Sequence, residues 1–473
     1  MPKYYLQTTR GRSATPPSLV FPLSVAADGR TLQSPNGTPF PILGRASWAL
    51  VGLPVSERNT YLTDCASKGF TAIEVGIPWR FTTSGLGPAR NVPASGAGDY
   101  PFLKRLDGGN WTGALSYGTI ANEAPDVTTS NEPYWVFVDA LIDQCLALGI
   151  VVFMFPMYTG WSSNQTDGWM PEMGANGTTK MQTYGAWIAS RYLSRKNIIW
   201  CIAGDYGSGG NPFTGSDQTY AQALLTGLQS VSDGKLITAE AGSPCVATDL
   251  PGTMGTSITL NGAYVGWNTA NGSCVTQARR AYGTMPGFMI EEPYDEEGPD
   301  GLNVNPSSSQ PVRRQLWWAW LSSIGGYISG NGYVWPGKAG IWQNHINTQC
   351  AQDLARLNAF VKSITWYSLV PSGLGSIGTL VTAGGSSAGS SDYVAASATP
   401  DGSLLVAYRP PAHSGTFTID MTKMRGTTTA RWFDPTAGYT AIGSFANTGT
   451  HTFTAPGANS EGSFTDWVLR LDA

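Results

Sequence analysis

One pattern recurs along most of this chain and restricts its fold more than any other feature. A segment with helical apolar spacing is followed by a short apolar run, and the run ends in polar or aromatic residues. ERNTYLTDCASKGF leads into TAIEVGIP, and the helix-like stretch 133–148 leads into IVVFMFPMY. GAWIASRYLSR leads into NIIWCIAGD, QTYAQALLTGLQSVSD into KLITAEAG, and VTQARRAYGT into GFMIEEPY. PVRRQLWWAWLSSIGG precedes YISGNGYVW, and CAQDLARLNAFVKSI closes the series as a helix. Strands alternating with helices build parallel β/α units. The competing open, doubly wound sheet would carry GxGxxG after its first strand, and that motif is absent. The expectation is therefore an α/β chain forming a (β/α)8 TIM barrel, whose strand ends open onto one face.

The pattern stops near residue 372. Beyond the Gly/Ser-rich stretch SGLGSIGTLVTAGGSSAGSSD come only short β-like runs, among them SLLVAYRP, TFTIDM, TARWFDP and DWVLRLD, separated by turn residues. Three regions are expected: an N-terminal arm over 1–20, a barrel over 21–372, and a C-terminal β-sandwich over 373–473.

Composition narrows the ligand. Charged residues are 13% of the 473 and the formal net charge is -4, with no basic tract of the kind that nucleic acid requires. No apolar run approaches the ~18 residues of a membrane span. The N-terminus shows no apolar signal core, while the weakly charged composition suits an exported protein. The six cysteines form no CxxC pair and lie mostly in apolar contexts, which fits buried thiols; a Cys245–Cys274 disulfide is the alternative. Three histidines speak against a zinc enzyme, and no cofactor is expected. The chain has 17 Trp and 20 Tyr, and indole rings that do not fill the core suit the C–H faces of a sugar.

Glycoside hydrolysis needs two carboxyl groups flanking the scissile bond. Asp205 ends NIIWCIAGD and Glu291 ends PGFMIE, so both stand where barrel strands open. Partial desolvation of Asp205 would raise its pKa, as a general acid requires; a helix-cap or turn aspartate is the plainer reading. Glu291 begins an acidic run with Glu292, Asp295, Glu296 and Glu297, which also reads as a solvated loop or a calcium loop. Glu240, after KLITA, suits a subsite or charge-tuning role. Candidate sugar contacts are Trp48, Trp79, Tyr158, Trp161, Trp267 and Trp335, expected around one cleft with Asp205. His345, in GIWQNHIN, reads as a polar loop residue or sugar contact rather than a base. There is no GxSxG elbow for a serine hydrolase.

The blocks NGTPFPILGRASWAL, YLTDCASKGFTAIEV, RYLSRKNIIWCIAGD, PGFMIEEPYDEEG and ITWYSLVP, with ARWFDPTAG near the end, resemble the apiosidase-like glycoside hydrolases. That resemblance runs from about Phe21 to the C-terminus. It implies a barrel followed by a small β-domain often labelled collagen-binding. It also implies Asp205 as acid/base, from the family's NxxWxxGGD block, and Glu291 as nucleophile. Tyr294 falls in the second block, and Glu292, which precedes Pro293, is the competing nucleophile. Ala203 replaces the first Gly of the GGD block. The family's first strand usually ends Gly-Asp-Thr-x-Trp, where this chain has Gly44-Arg45-Ala46-Ser47-Trp48, and the family tends to place His at the Glu240 position. Arg45 could thus face an acidic sugar, and the substrate is expected to differ from that of the founding apiosidases. The expected activity is cleavage of a plant or bacterial polysaccharide or oligosaccharide, with a carbohydrate as substrate and neither nucleic acid nor membrane as partner. The alternatives are a non-catalytic carbohydrate-binding or adhesion protein, and a transglycosylase of the same fold.

Overall fold

The computed structural model describes residues 20–78, 100–112, 122–160, 168–206, 215–265, 273–283, 285–291, 293–297, 309–338 and 340–473. The expected arm, 1–20, lies outside them except for its last residue. Eight strands and eight helices alternate. The strands are β1 Ile42–Ala46, β2 Ala72–Gly76, β3 Val151–Phe155, β4 Ile198–Tyr206, β5 Ile237–Ala241, β6 Asn261–Tyr264, β7 Gly287–Glu291 and β8 Ile324–Asn331. The helices that follow them are α1 Val55–Ser67, α2 Glu132–Ala147, α3 Met170–Arg191, α4 Ser216–Gln229, the single turn α5 Thr253–Thr256, α6 Ser273–Ala281, α7 Ser309–Ser323 and α8 Gln349–Lys362.

The sheet order is β5-β4-β3-β2-β1-β8-β7-β6, and neighbouring strands run parallel. The circle is nearly closed where Thr259 and Leu260, just before β6, donate to the Ile237 carbonyl at 2.9 and 3.2 Å. Strands buried on both faces read as continuous apolar runs rather than alternating ones, which is why IVVFMF and GFMIE carry so few polar residues. The helices show the complementary stripe. In α2 the buried side chains are Tyr134, Trp135, Val138, Leu141, Ile142 and Cys145, a stripe along one face of the helix. Thr348 caps α8, its Oγ1 accepting from the Ala351 N–H at 3.1 Å.

The β-like segments before β1 form a small antiparallel sheet, Ser24–Val25, Leu32–Gln33 and Pro39–Phe40. Leu23, just before this sheet, lines a small cavity with Val151, Ile198 and Leu236, so the segment lies by the starts of β3 to β5, opposite the strand mouths.

The C-terminal strands are β9 Val370–Pro371, β10 Val381–Ala383, β11 Ala395–Ala398, β12 Leu404–Arg409, β13 Phe417–Asp420, β14 Thr428–Phe433, β15 Tyr439–Phe445, β16 Thr450–Phe453 and β17 Trp467–Asp472. They make one antiparallel sheet in the order β9-β11-β12-β17-β14-β15 and a second in the order β10-β13-β16. Strand periodicity sends alternate residues of β12 to different places. Leu405 and Ala407 join the core between the two sheets, whereas Leu404, Val406 and Tyr408 join the barrel's core. The larger sheet is thus buried on both faces, one of them against α7 and α8. All six cysteines are free thiols, so the Cys245–Cys274 disulfide is not formed. Among the described residues no helix is long and apolar enough to cross a membrane.

Candidate active site

β4 does not run straight to its end. Ala203, Gly204 and Asp205 have φ of 73°, 110° and 48°, and the register with β5 slips between Ala203 and Tyr206. Left-handed backbone is unfavourable for a residue with a Cβ, and such strain gathers at functional sites. Here it re-aims the Asp205 side chain before Tyr206 rejoins the sheet. Thr159, beyond β3, pins the bulge: its N–H donates to the Ala203 carbonyl at 3.2 Å and its Oγ1 to the Gly204 carbonyl at 2.8 Å. Gly204 is required for a second reason. A Cβ there would sit 2.4 Å from the Tyr158 ring. Tyr158 uses that approach to donate its hydroxyl to Asp205 Oδ2 at 2.6 Å.

Glu291 ends β7 and is buried, with its two oxygens in different situations. Oε1 accepts from Trp48 Nε1 at 3.0 Å and from the Tyr294 hydroxyl. Trp48 Nε1 is also 3.0 Å from the Tyr294 oxygen, so the three groups form one knot. Oε2 is buried with no hydrogen-bond donor. Tyr294 reaches this position because the short strand Tyr294–Asp295 pairs with Gly330 and Asn331 of β8, and Gly330 has no side chain to obstruct the ring. Trp48 packs edge-on against Tyr158, with centroids 5.1 Å apart, so the donor to Glu291 and the donor to Asp205 support each other.

Glu240, near the end of β5, is fully buried. Carboxyl oxygens of Asp205, Glu240 and Glu291 all lie within 4.8 Å of one another. Oxygens at that spacing would also fit around one hard cation, in which case both would-be catalytic groups would be occupied. A fourth carboxylate stands beneath them. Glu74, in the middle of β2, is fully buried, and neither of its oxygens has a hydrogen-bond partner. Burial pushes its pKa well up, and the charges of Glu291 and Asp205 add to the effect. Glu240 is shifted upward for the same reasons: burial first, then Glu291 and Asp205. Glu74 was missed by inspecting strand ends, because it lies within TAIEVG rather than at its close. The available signal was a lone acid inside a strand otherwise buried on both faces.

Of the expected sugar contacts, Trp48 and Tyr158 stand beside the carboxylates, but as buried hydrogen-bond donors rather than exposed stacking platforms. Trp335 is half-buried and donates to Glu297 at 3.0 Å. His345 stacks on Tyr333 at 3.8 Å and bonds Glu296 through Nδ1 at 2.6 Å. Trp79, Trp161, Trp267 and Glu292 lie outside the described residues. Arg45 corrects an expectation. β-strand alternation turns it to the helix side of β1, where it is paired with Asp64 at 2.8 Å and packed over Tyr61 and Phe70. It is a buried strut between β1 and α1, not a cation facing a sugar. Three members of the acidic run are held by neighbouring side chains: Asn331 and Thr348 bond Asp295, Asn331 and His345 bond Glu296, and Trp335 bonds Glu297.

Residues 26–368 match the family described as "Apiosidase-like, catalytic domain", and residues 382–472 match the "Putative collagen-binding domain of a collagenase". No curated protein matches in sequence. Among solved structures, one described as a glycoside hydrolase superposes with a TM-score of 0.74 at 20% identity, covering 98% of each chain. A glycoside hydrolase family 5 protein from Bacteroides vulgatus gives 0.73 at 19% identity, covering 98% of this chain and 95% of the other. A further glycoside hydrolase structure from the same organism gives 0.66 at 14% identity, over 97% and 83%. At these identities the likeness establishes the shared fold along the whole chain.

Proposed function

We propose, for a chain that belongs to the apiosidase-like family and is a glycosidase, a retaining double displacement with Glu291 as nucleophile and Asp205 as acid/base. The observation that supports it is the separation of the two carboxyl groups. A nucleophile and an acid that share one anomeric centre stand about 5–5.5 Å apart, whereas an inverting pair needs roughly 6.5–9.5 Å to admit a water. Asp205 and Glu291 bring carboxyl oxygens within 4.8 Å of each other, which accords with the closer arrangement.

The surrounding donors agree with the division of labour. Trp48 and Tyr294 fix Oε1 of Glu291, which leaves Oε2 to meet the anomeric carbon. Asp205 is less buried than Glu291 and is held by Tyr158, so it can reach a leaving oxygen on the solvent side. In the first step Oε2 attacks carbon 1 while Asp205 gives its proton to the departing oxygen, leaving a glycosyl ester on Glu291. In the second step Asp205 takes a proton from water, which attacks the same carbon and frees Glu291. Glu240 borders the same space and is placed to touch the sugar bound there. With Arg45 turned away, an acidic sugar has no support from that residue. The substrate class is a plant or bacterial polysaccharide or an oligosaccharide derived from one. The test is product analysis on a panel of such polysaccharides with Asp205→Asn as the blank. Release of a defined sugar by the wild type alone is expected. Equal release by the variant, or none from any member, overturns the reading.

A further inference from the structure

Glu240 and Glu291 pose a problem of charge that the two-carboxylate reaction does not resolve. Both are buried, on β5 and β7, and carboxyl oxygens of the two lie within 4.8 Å. Three charged groups act on Glu240, and all are acids: Glu291 from β7, Asp205 from β4 and Glu74 from β2. Among the described residues no Lys or Arg acts on Glu240. Two like charges this close in a dry site do not both stay ionised, so the pair must hold a proton.

The hydrogen-bond pattern says where the proton sits. Donors favour the charged form of a carboxyl group. Glu291 Oε1 receives two, from Trp48 and Tyr294, while neither oxygen of Glu240 receives any. Glu291 Oε2 is an acceptor lacking a donor among the described residues, and a protonated Glu240, buried beside it, has a hydrogen to give; the proton of Asp205, held by Tyr158, goes to the leaving oxygen. As two carboxylates the pair repels and three buried oxygens go unsatisfied. As acid and carboxylate it closes one hydrogen bond and carries a single charge.

We propose that Glu240 is a positioning residue: a neutral carboxylic acid that donates a hydrogen bond to Oε2 of Glu291 and fixes the orientation of that oxygen. The proton stays on Glu240 throughout, and the second lone pair of Oε2 remains free for the anomeric carbon. This deepens the assignment of Glu291 as nucleophile and rests on it for its functional consequence, although the protonation state itself does not.

The first arm of the test needs no substrate. Infrared difference spectroscopy at neutral pH compares wild type with Glu240→Gln, an isosteric change. Loss of a protonated-carboxyl C=O band on substitution is expected. Loss of an ionised-carboxylate band in its place overturns the proposal, whatever the enzyme cleaves. The second arm uses the pH profile of kcat/KM on whichever glycoside is turned over. Glu240→Gln keeps a donor, so the acid limb of its profile should stay where it is in wild type, whatever kcat/KM it retains. Glu240→Ala removes the donor, and its acid limb should move up by about one pH unit because the anion on Glu291 has lost a partner. If the Gln and Ala profiles shift equally, or the Ala profile is unshifted, Glu240 does not position Glu291. If no glycoside is turned over at all, the glycosidase reading fails while the infrared result stands.

Discussion

Buried carboxylates occur in two places in this molecule, and they are stabilised in opposite ways. At the seam between barrel and C-terminal sheets, Arg313 of α7 meets Asp466 through two hydrogen bonds of 2.9 and 3.0 Å and also bonds Asp353 and Glu461. Trp317 stacks on Tyr408 beside it. At the barrel mouth, among the described residues, Glu74, Glu240 and Glu291 meet no guanidinium or ammonium, and of the three Glu291 alone receives hydrogen bonds. Even at the seam burial is felt: it outweighs Arg313 at Asp353, whose carboxyl is pushed up to about 6. Among the described residues, the mouth offers protons and N–H or O–H donors to offset its charge. The seam gives cohesion between domains, whereas the mouth crowds acids together without such pairing.

The largest effect should come from the mouth. Glu291→Gln should cut turnover by about a thousandfold or more with little change in folding. Asp205→Asn should be similarly impaired on poor leaving groups and partly recover on an activated aryl glycoside, which needs no acid in the first step. Arg313→Met should show the reverse. Removing one partner from buried charges costs about 3–5 kcal/mol, read by denaturant unfolding, while the folded fraction keeps its kcat. A variant that loses both properties together would erase the distinction between the two regions.

Smaller effects sharpen the contrast. The folded state holds Glu74's proton more tightly than the unfolded chain, so stability should fall as pH climbs from the ordinary value of 4.5 toward the raised one. Glu74→Gln should therefore match wild type near pH 4 and be the more stable of the two at neutral pH, opposite in sign to Arg313→Met. A Glu74→Gln protein that is less stable at neutral pH would mean the carboxylate has a partner after all. Smallest is Ala203→Gly, which relieves a left-handed alanine at φ 73° and should gain about 1 kcal/mol with kcat unchanged.

Much of this was legible in the sequence because it is written locally. The alternation of helical spacing with apolar runs identifies the barrel, and Asp205 and Glu291 declare themselves by ending such runs. The loss of that pattern near residue 372 marks the β-rich region. What could not be read depends on which side of a strand a residue faces and on what meets it across the barrel. Arg45 looked like a sugar contact because its neighbours in the motif suggest one, but strand parity sends it outward to Asp64. Trp48 and Tyr158 stand out in the sequence as sugar contacts, yet the carboxylates they donate to, Glu291 and Asp205, lie far away in sequence. Glu74 stayed hidden because its importance arises only when β2, β4 and β7 converge.

The most direct test of the central claim is to trap the covalent intermediate. A set of 2-deoxy-2-fluoro glycosides bearing good leaving groups is incubated with the protein, and labelled peptides are located by mass spectrometry. The two-carboxylate account predicts a single sugar ester on Glu291, formed in wild type and absent from Glu291→Gln. An ester on Asp205, Glu240 or Glu292, or hydrolysis of a natural glycoside with inversion at the anomeric carbon, would contradict it.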